Sequence, residues 1–311
     1  MSLKKFSLAA VGVGVVAILL VYAIMSWKQE KFVLDEATRK LAPGKFVELK
    51  YGPVHYRLDG PDSGRLVLLI PGGGISGIES FENTIPGLND RGYRTLTYDL
   101  YGRGYSARPA VENRPELFLE QLMSLLDTLG IRDTMHVVSM SMGALIATDF
   151  ATTYPDRVGK LVFIDPSLAG EFKMNPALKV PIVSDLLMTM YWYPRAKENQ
   201  RKEFVNQDVF EKYSQRLEYF MQFEGYKATN YSTWMHMLTV NKLPQLKEIA
   251  SNKILLIYGD KDPYFPVPRN TERIQEHYPT LQVKVIENAG HIPHLEKPKE
   301  ANAYLLEFFQ D

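Results

Sequence analysis

A serine, an aspartate and a histidine, met in that order along the chain, are the residues on which chemistry could rest. Ser141 lies in Ser139-Met140-Ser141-Met142-Gly143, directly after the strand-like run 135–138. A reactive hydroxyl needs a tight strand-to-helix turn with small residues two positions before and after it. Gly143 supplies one of these, and Ser139 stands where glycine is usual. Ser139 falls within the strand and makes the poorer nucleophile. Asp262 belongs to Gly259-Asp260-Lys261-Asp262-Pro263, and His291 closes Asn288-Ala289-Gly290-His291. In such a set His291 takes the Ser141 proton and returns it to the leaving group, while Asp262 fixes the imidazole tautomer and stabilises its cation. Asp260 is the rival acid, better suited to shaping the turn, and His294 lacks the Gly-His placement. The serine motif alone reads equally well as an ordinary helix N-cap.

Attack on a carbonyl also creates an oxyanion that needs backbone donors. The Met142 N–H, next after the nucleophile, is one expected donor, and Gly73 in Pro71-Gly72-Gly73-Gly74 is the other. Losing one such donor typically costs about 3–4 kcal/mol of barrier lowering. Glycines can also cradle a phosphate, but no Gly-Lys-Ser/Thr follows them here. The segment from Asp99 to Ser106 reads as a structural turn outside the chemistry. His55, His136, His236 and His277 show no metal-ligand spacing, so neither metal nor cofactor is expected.

The elements that must hold these residues alternate from about residue 45 onwards, strand-like runs with helix-like ones, which predicts a mostly parallel sheet covered by helices. Residues 46–49 and 54–57 suit an opening hairpin, and 66–70, 93–98, 135–138, 160–164, 254–258 and 283–286 read as further strands. Apolar spacing predicts helices over 115–129, after Ser141, and from Pro298 to the end. Each candidate residue thus follows a strand, where a sheet gathers loops at one edge. The rhythm breaks over 167–243, which reads as a helical cap dividing a core of 46–166 and 244–311. Its Met188, Met190, Tyr191, Trp192, Tyr219, Phe220, Met221 and Phe223 either line a pocket or pack the cap onto the core.

Lys+Arg and Asp+Glu both number 36 among 311 residues, so no basic excess is available for nucleic acid. Cysteine is absent, which excludes disulfides and thiolate chemistry. Residues 8–27 carry no charge, and twenty helical residues span about 30 Å, the apolar thickness of a bilayer. Residues 1–30 are therefore expected to be a transmembrane anchor and 31–45 a juxtamembrane linker; a cleaved signal peptide is the alternative. Lys4 and Lys5 favour a cytoplasmic N-terminus, against Lys28, Lys31, Arg39 and Lys40 beyond the span. The orientation kept puts the catalytic part on the periplasmic side of a bacterial inner membrane. A homodimer through the anchor is a further expectation, as Gly12 and Gly14 thin the helix, although they lack the four-residue spacing.

Taken together, these motifs resemble those of the α/β-hydrolase superfamily from residue 45 to 311. The marks are Ile70-Pro-Gly-Gly-Gly74, Asp99…Ser106, Ser139-Met-Ser-Met-Gly143, Gly259-Asp-Lys-Asp-Pro263 and Gly290-His-Ile-Pro-His-Leu-Glu-Lys-Pro298. The resemblance implies an eight-stranded, mostly parallel sheet flanked by helices. It also implies a serine hydrolase of lipase, lysophospholipase or carboxylesterase type, cleaving acyl esters of (lyso)phospholipids or acylglycerols at a membrane. Two alternatives come with it: a hydrolase of carbon–carbon bonds beside a ketone, of the meta-cleavage type, and a silent binding protein. Pro71 and Ser139 depart from the usual pattern, where His and Gly stand.

Overall fold

Strands buried on both faces have no polar side and so appear as unbroken apolar runs. Leu66–Ile70 is of this kind; Met135–Met140 and Ile254–Gly259 are likewise buried at every residue, although His136 and Ser139 interrupt the apolar run of the first. In the computed structural model, which describes residues 3–75, 77–170 and 172–310, they are β3, β5 and β7 of one eight-stranded sheet. The remaining strands are β1 (Lys45–Leu49), β2 (Gly52–Asp59), β4 (Arg94–Tyr98), β6 (Val158–Ile164) and β8 (Gln282–Ile286). Their spatial order is β1-β2-β4-β3-β5-β6-β7-β8. The β1–β2 and β2–β4 pairs are antiparallel; every later pair is parallel.

Successive side chains alternate across the sheet, so each strand feeds two cores. Leu68, Ile70, Val137, Leu161, Phe163 and Leu256 pack on one face, and Val67, Leu69, Val138, Val162, Leu255 and Ile257 on the other. Helices α2 (Pro115–Thr128) and α3 (Gly143–Thr153) contribute to the first core. Proline at the start of α2 costs no helical hydrogen bond, and Gly130, at φ 68°, turns the chain out after its end.

Between β6 and β7 the chain leaves the sheet to form the cap. It holds α4 (Pro181–Leu187), a π-helical segment Met188–Trp192, α5 (Ala196–Arg201), α6 (Gln207–Met221) and α7 (Tyr226–His236). Helix α6 turns Phe210, Tyr213, Ser214, Leu217 and Met221 inward, the spacing of one helical face. Glu296 ties cap to core: its carboxylate accepts the N–H groups of Val205 and Asn206 at the start of α6 and that of Gly290. Helices α8 (Val267–His277) and α9 (Pro298–Gln310) complete the core.

The N-terminal helix, α1 (Leu3–Lys28), stands apart. Ala10–Lys28 is long and apolar enough to cross a membrane by length and composition, and residues 10–21 are all exposed. Its far end rests on the cap. The Tyr22 hydroxyl donates to Asp185, and Gln29 Nε2 donates to the Thr189 carbonyl at 2.9 Å. Beyond it Phe32 exchanges backbone hydrogen bonds with Gln222 and Glu224.

Candidate active site

The end of β5 sets the serine. Ser141 has φ 49°, a left-handed conformation that costs a non-glycine residue about 1–2 kcal/mol. It is held there because its N–H donates to the Ile164 carbonyl at 2.9 Å and its carbonyl accepts the Ser167 N–H at 3.1 Å. The turn is tight enough that a Cβ on Gly143 would lie 2.6 Å from the Pro71 carbonyl oxygen. Ser139, the unusual residue of the motif, is accommodated: it is fully buried and its hydroxyl reaches the Val162 carbonyl at 3.5 Å.

The loops after β7 and β8 bring the other two groups to the same edge. Ser141 Oγ lies 3.0 Å from His291 Nε2, and His291 Nδ1 lies 2.6 Å from Asp262 Oδ2. Asp262 Oδ1 accepts the N–H groups of Tyr264 and Phe265 at 2.7 and 3.1 Å. The His291 N–H donates to the Glu203 carbonyl at 2.8 Å, so the cap fixes the histidine as well. Burial works against charge on both groups, but each outweighs it for the other: the His291 imidazole is held above its usual pKa and the Asp262 carboxyl below its own. Asp260 instead accepts the Ala289 N–H and pairs with Lys261. His294 bonds the Ser80 carbonyl, and burial lowers its pKa to about 4. Among the described residues, the N–H groups of Gly73 and Met142 donate to no protein acceptor. Both residues line the cavity that holds Ser141 and His291.

The sequence model of the α/β hydrolase fold matches residues 65–298. The chain belongs to this family. It is 31% identical over 272 residues to a 2-hydroxy-6-oxononadienedioate/2-hydroxy-6-oxononatrienedioate hydrolase of Burkholderia vietnamiensis, covering 83% of this chain and 91% of the relative. It is 26% identical to Lipase 1 of Psychrobacter immobilis, covering 94% of this chain and 90% of the lipase. Among solved structures, a bromoperoxidase from Bacillus anthracis superposes with TM-score 0.72 at 24% identity, covering 86% of this chain and 99% of that one. That likeness shows the fold alone.

This α/β hydrolase carries three site features that its sequence concealed. Asp165, at the end of β6, is fully buried, and its carboxyl oxygens accept the Gly259 N–H at 3.2 Å. Burial and the adjoining Asp262 raise its pKa well above the ordinary carboxylate value. An aspartate after an apolar run looks like any turn residue, and nothing local marks it. Asp165, Asp262 and His291 offer ligand atoms within 4.8 Å of one another. A tetrahedral ion with bonds of ~2.1 Å would need them about 3.4 Å apart, whereas Asp262 and His291 meet at hydrogen-bond distance.

The second feature is the cavity itself, about 710 Å³, a size suited to a small organic ligand. Of the cap residues named from sequence only Trp192 lines it, together with Phe172, Tyr213, Tyr226, Trp234 and Leu238. Met188, Phe220, Met221 and Phe223 are buried, Phe220 edge-on against Tyr105 of the core, and Tyr191 faces outward. Glu203 faces the cavity beside His291, and burial raises its carboxyl to about 7.

The third feature is Arg103. The turn around it is structural, as expected: Asp99 bonds His55 at 2.8 Å and accepts the N–H groups of Gly77 and Tyr105, and the Ser106 hydroxyl donates to the Asp99 carbonyl. Arg103 departs from that reading and lines the cavity.

Proposed function

We propose that Ser141 attacks a carbonyl carbon of the substrate and that the bond broken is the carbon–carbon bond beside a ketone. The observation that carries the hydrolytic part is the 3.0 Å contact of Ser141 Oγ with His291 Nε2, itself bonded to Asp262. The choice of bond rests on the relatives: the 31% match is to a hydrolase named for a keto-dienedioate. In this reading Ser141 Oγ bonds to the carbonyl carbon while its proton passes to His291 Nε2. The oxyanion is received by the Gly73 and Met142 N–H groups. Its collapse breaks the bond to the neighbouring carbon, whose electron pair spreads into a conjugated chain and then takes the proton from His291. Water, deprotonated by His291, releases the acid and restores Ser141.

A second reading, hydrolysis of acyl esters with an alkoxide as leaving group, is favoured by the lipase match. Its 94% coverage leaves too few residues over to exclude the whole of α1. The experiment is a comparison of kcat/KM for a dienoic diketone acid and for p-nitrophenyl esters, with a fluorophosphonate probe as control. Labelling lost in Ser141→Ala, with turnover of the diketone, supports the first reading. Turnover of esters alone supports the second, and an unlabelled, folded protein overturns both. The reading also takes α1 as an uncleaved membrane anchor with the remainder on the periplasmic side. Its support is the uncharged length of the helix and the exposure of residues 10–21.

A further inference from the structure

A buried charge is expensive unless something of opposite sign meets it. Arg103 is 4% exposed and lies in the cavity beside the oxyanion loop: a Cβ on Gly73 would stand 3.9 Å from its Nη2. Among the described residues it has no carboxylate partner. Its Nη1 donates to Asn230 Oδ1 at 2.9 Å and its Nη2 to Thr233 Oγ1 at 3.2 Å, both neutral acceptors on α7. A guanidinium has five N–H donors, so the rest of the fork has no protein acceptor among the described residues. Burial lowers its pKa only to about 10, which leaves it charged at neutral pH. Tyr213 stands on the same wall. Its hydroxyl oxygen accepts the Ile75 N–H at 3.2 Å, which turns the hydroxyl proton away from Ile75 and leaves it free to donate.

A neutral side chain would serve equally well if the purpose were only to clamp the Asp99–Ser106 turn to α7. A charge that is buried, lacks an anion and faces the cavity serves a ligand that brings the anion. We propose that Arg103, with the Tyr213 hydroxyl, forms a carboxylate subsite. It selects substrates that bear a carboxylate within a few bonds of the carbonyl attacked by Ser141. The planar fork suits bidentate capture of a carboxylate. Glu203, the acid facing the cavity, sits beside His291 and leaves the Arg103 end positive. This inference rests on Ser141 as nucleophile for its catalytic meaning, although the subsite can be tested without turnover.

The test uses the full chain in detergent and two readouts. The first is titration of Ser141→Ala protein with glutarate, an unreactive dicarboxylate, followed by calorimetry. Saturable binding is expected, weakened roughly 10- to 100-fold by adding Arg103→Met, the range of a lost charge-assisted pair. Arg103→Lys should restore part of it. The Tyr213→Phe change, which leaves the guanidinium in place, should weaken it several-fold. The second is the ratio of kcat/KM for the p-nitrophenyl monoester of glutaric acid to that for p-nitrophenyl valerate. In Arg103→Met the ratio should fall at least tenfold, through KM for the anionic ester. A clamp would lower thermal stability and both esters alike, leaving the ratio unchanged. Unchanged ratio with unchanged glutarate affinity, or no glutarate binding by either protein, overturns the proposal. Arg103-dependent glutarate binding in a protein that turns over nothing sustains the subsite and sinks the Ser141 reading instead.

Discussion

At the residue scale, His291 must be neutral to accept the Ser141 proton. Burial pulls its pKa down, but Asp262, joined by Glu203, carries it above the ordinary 6.5. Activity should therefore fall as pH drops through a value above 6.5, because protonation of His291 removes the base. Removing the Asp262 charge in Asp262→Asn should move that acid limb lower and reduce kcat by about 10⁴-fold; a pH profile of kcat/KM for both proteins checks it. A limb that does not move would show that Asp262 is not the group acting on His291. Asp165 makes a separate prediction. An amide oxygen can accept the Gly259 N–H as the carboxyl does, so Asp165→Asn should fold with near-normal stability. The Asp165→Leu change leaves the buried Gly259 N–H unmet and should cost about 1–3 kcal/mol, read from urea unfolding. Equal stability of the two variants would show that the bond to Gly259 adds nothing to the fold.

At the scale of elements, the active site depends on how closely β5 and α3 approach the loop after β3. Because a Cβ on Gly143 would press on the Pro71 carbonyl at 2.6 Å, Gly143→Ala should displace the oxyanion loop. The expected result is at least a tenfold loss of kcat in a protein that still melts cooperatively; unchanged kcat would mean the loop yields freely. In the sheet, Leu68→Ala removes a fully buried side chain and should cost 2–5 kcal/mol, on the order of half of a typical domain's stability.

The same scale explains what could be read beforehand. Strands β3 and β7 were legible because burial on both faces leaves an almost unbroken apolar signature, β5 despite His136 and Ser139, and Ser141, Asp262 and His291 follow β5, β7 and β8. Helix α8 was not: it is mostly polar, with Ile274 as its one buried large side chain among those described. The one-turn helices Gly77–Ser80 and Thr84–Asn89 are too short to show a period. Cap residues could be named but not sorted into lining and packing, since all of them are apolar and only the tertiary arrangement decides. Arg103 was concealed for the opposite reason, a charge inside a turn whose Asp99 and Ser106 are plainly structural.

At the scale of the whole molecule, α1 makes the chain a body with a stalk. If α1 is the anchor proposed above, the protein should stay with the membrane pellet through an alkaline carbonate wash and leave it only in detergent. Recovery in the soluble fraction, with a shortened N-terminus by mass spectrometry, would show a cleaved leader. The contact between the end of α1 and the cap then sets an order of events during synthesis. Tyr22 meets Asp185, 163 positions later, so the helix leaves the ribosome long before its partner exists. At roughly 5–20 residues per second the wait is about 8–30 s. Residues 10–21 stay exposed even in the folded protein, so from that interval onward their apolar surface needs shelter from outside the chain, lipid if α1 is the anchor proposed above, or a chaperone.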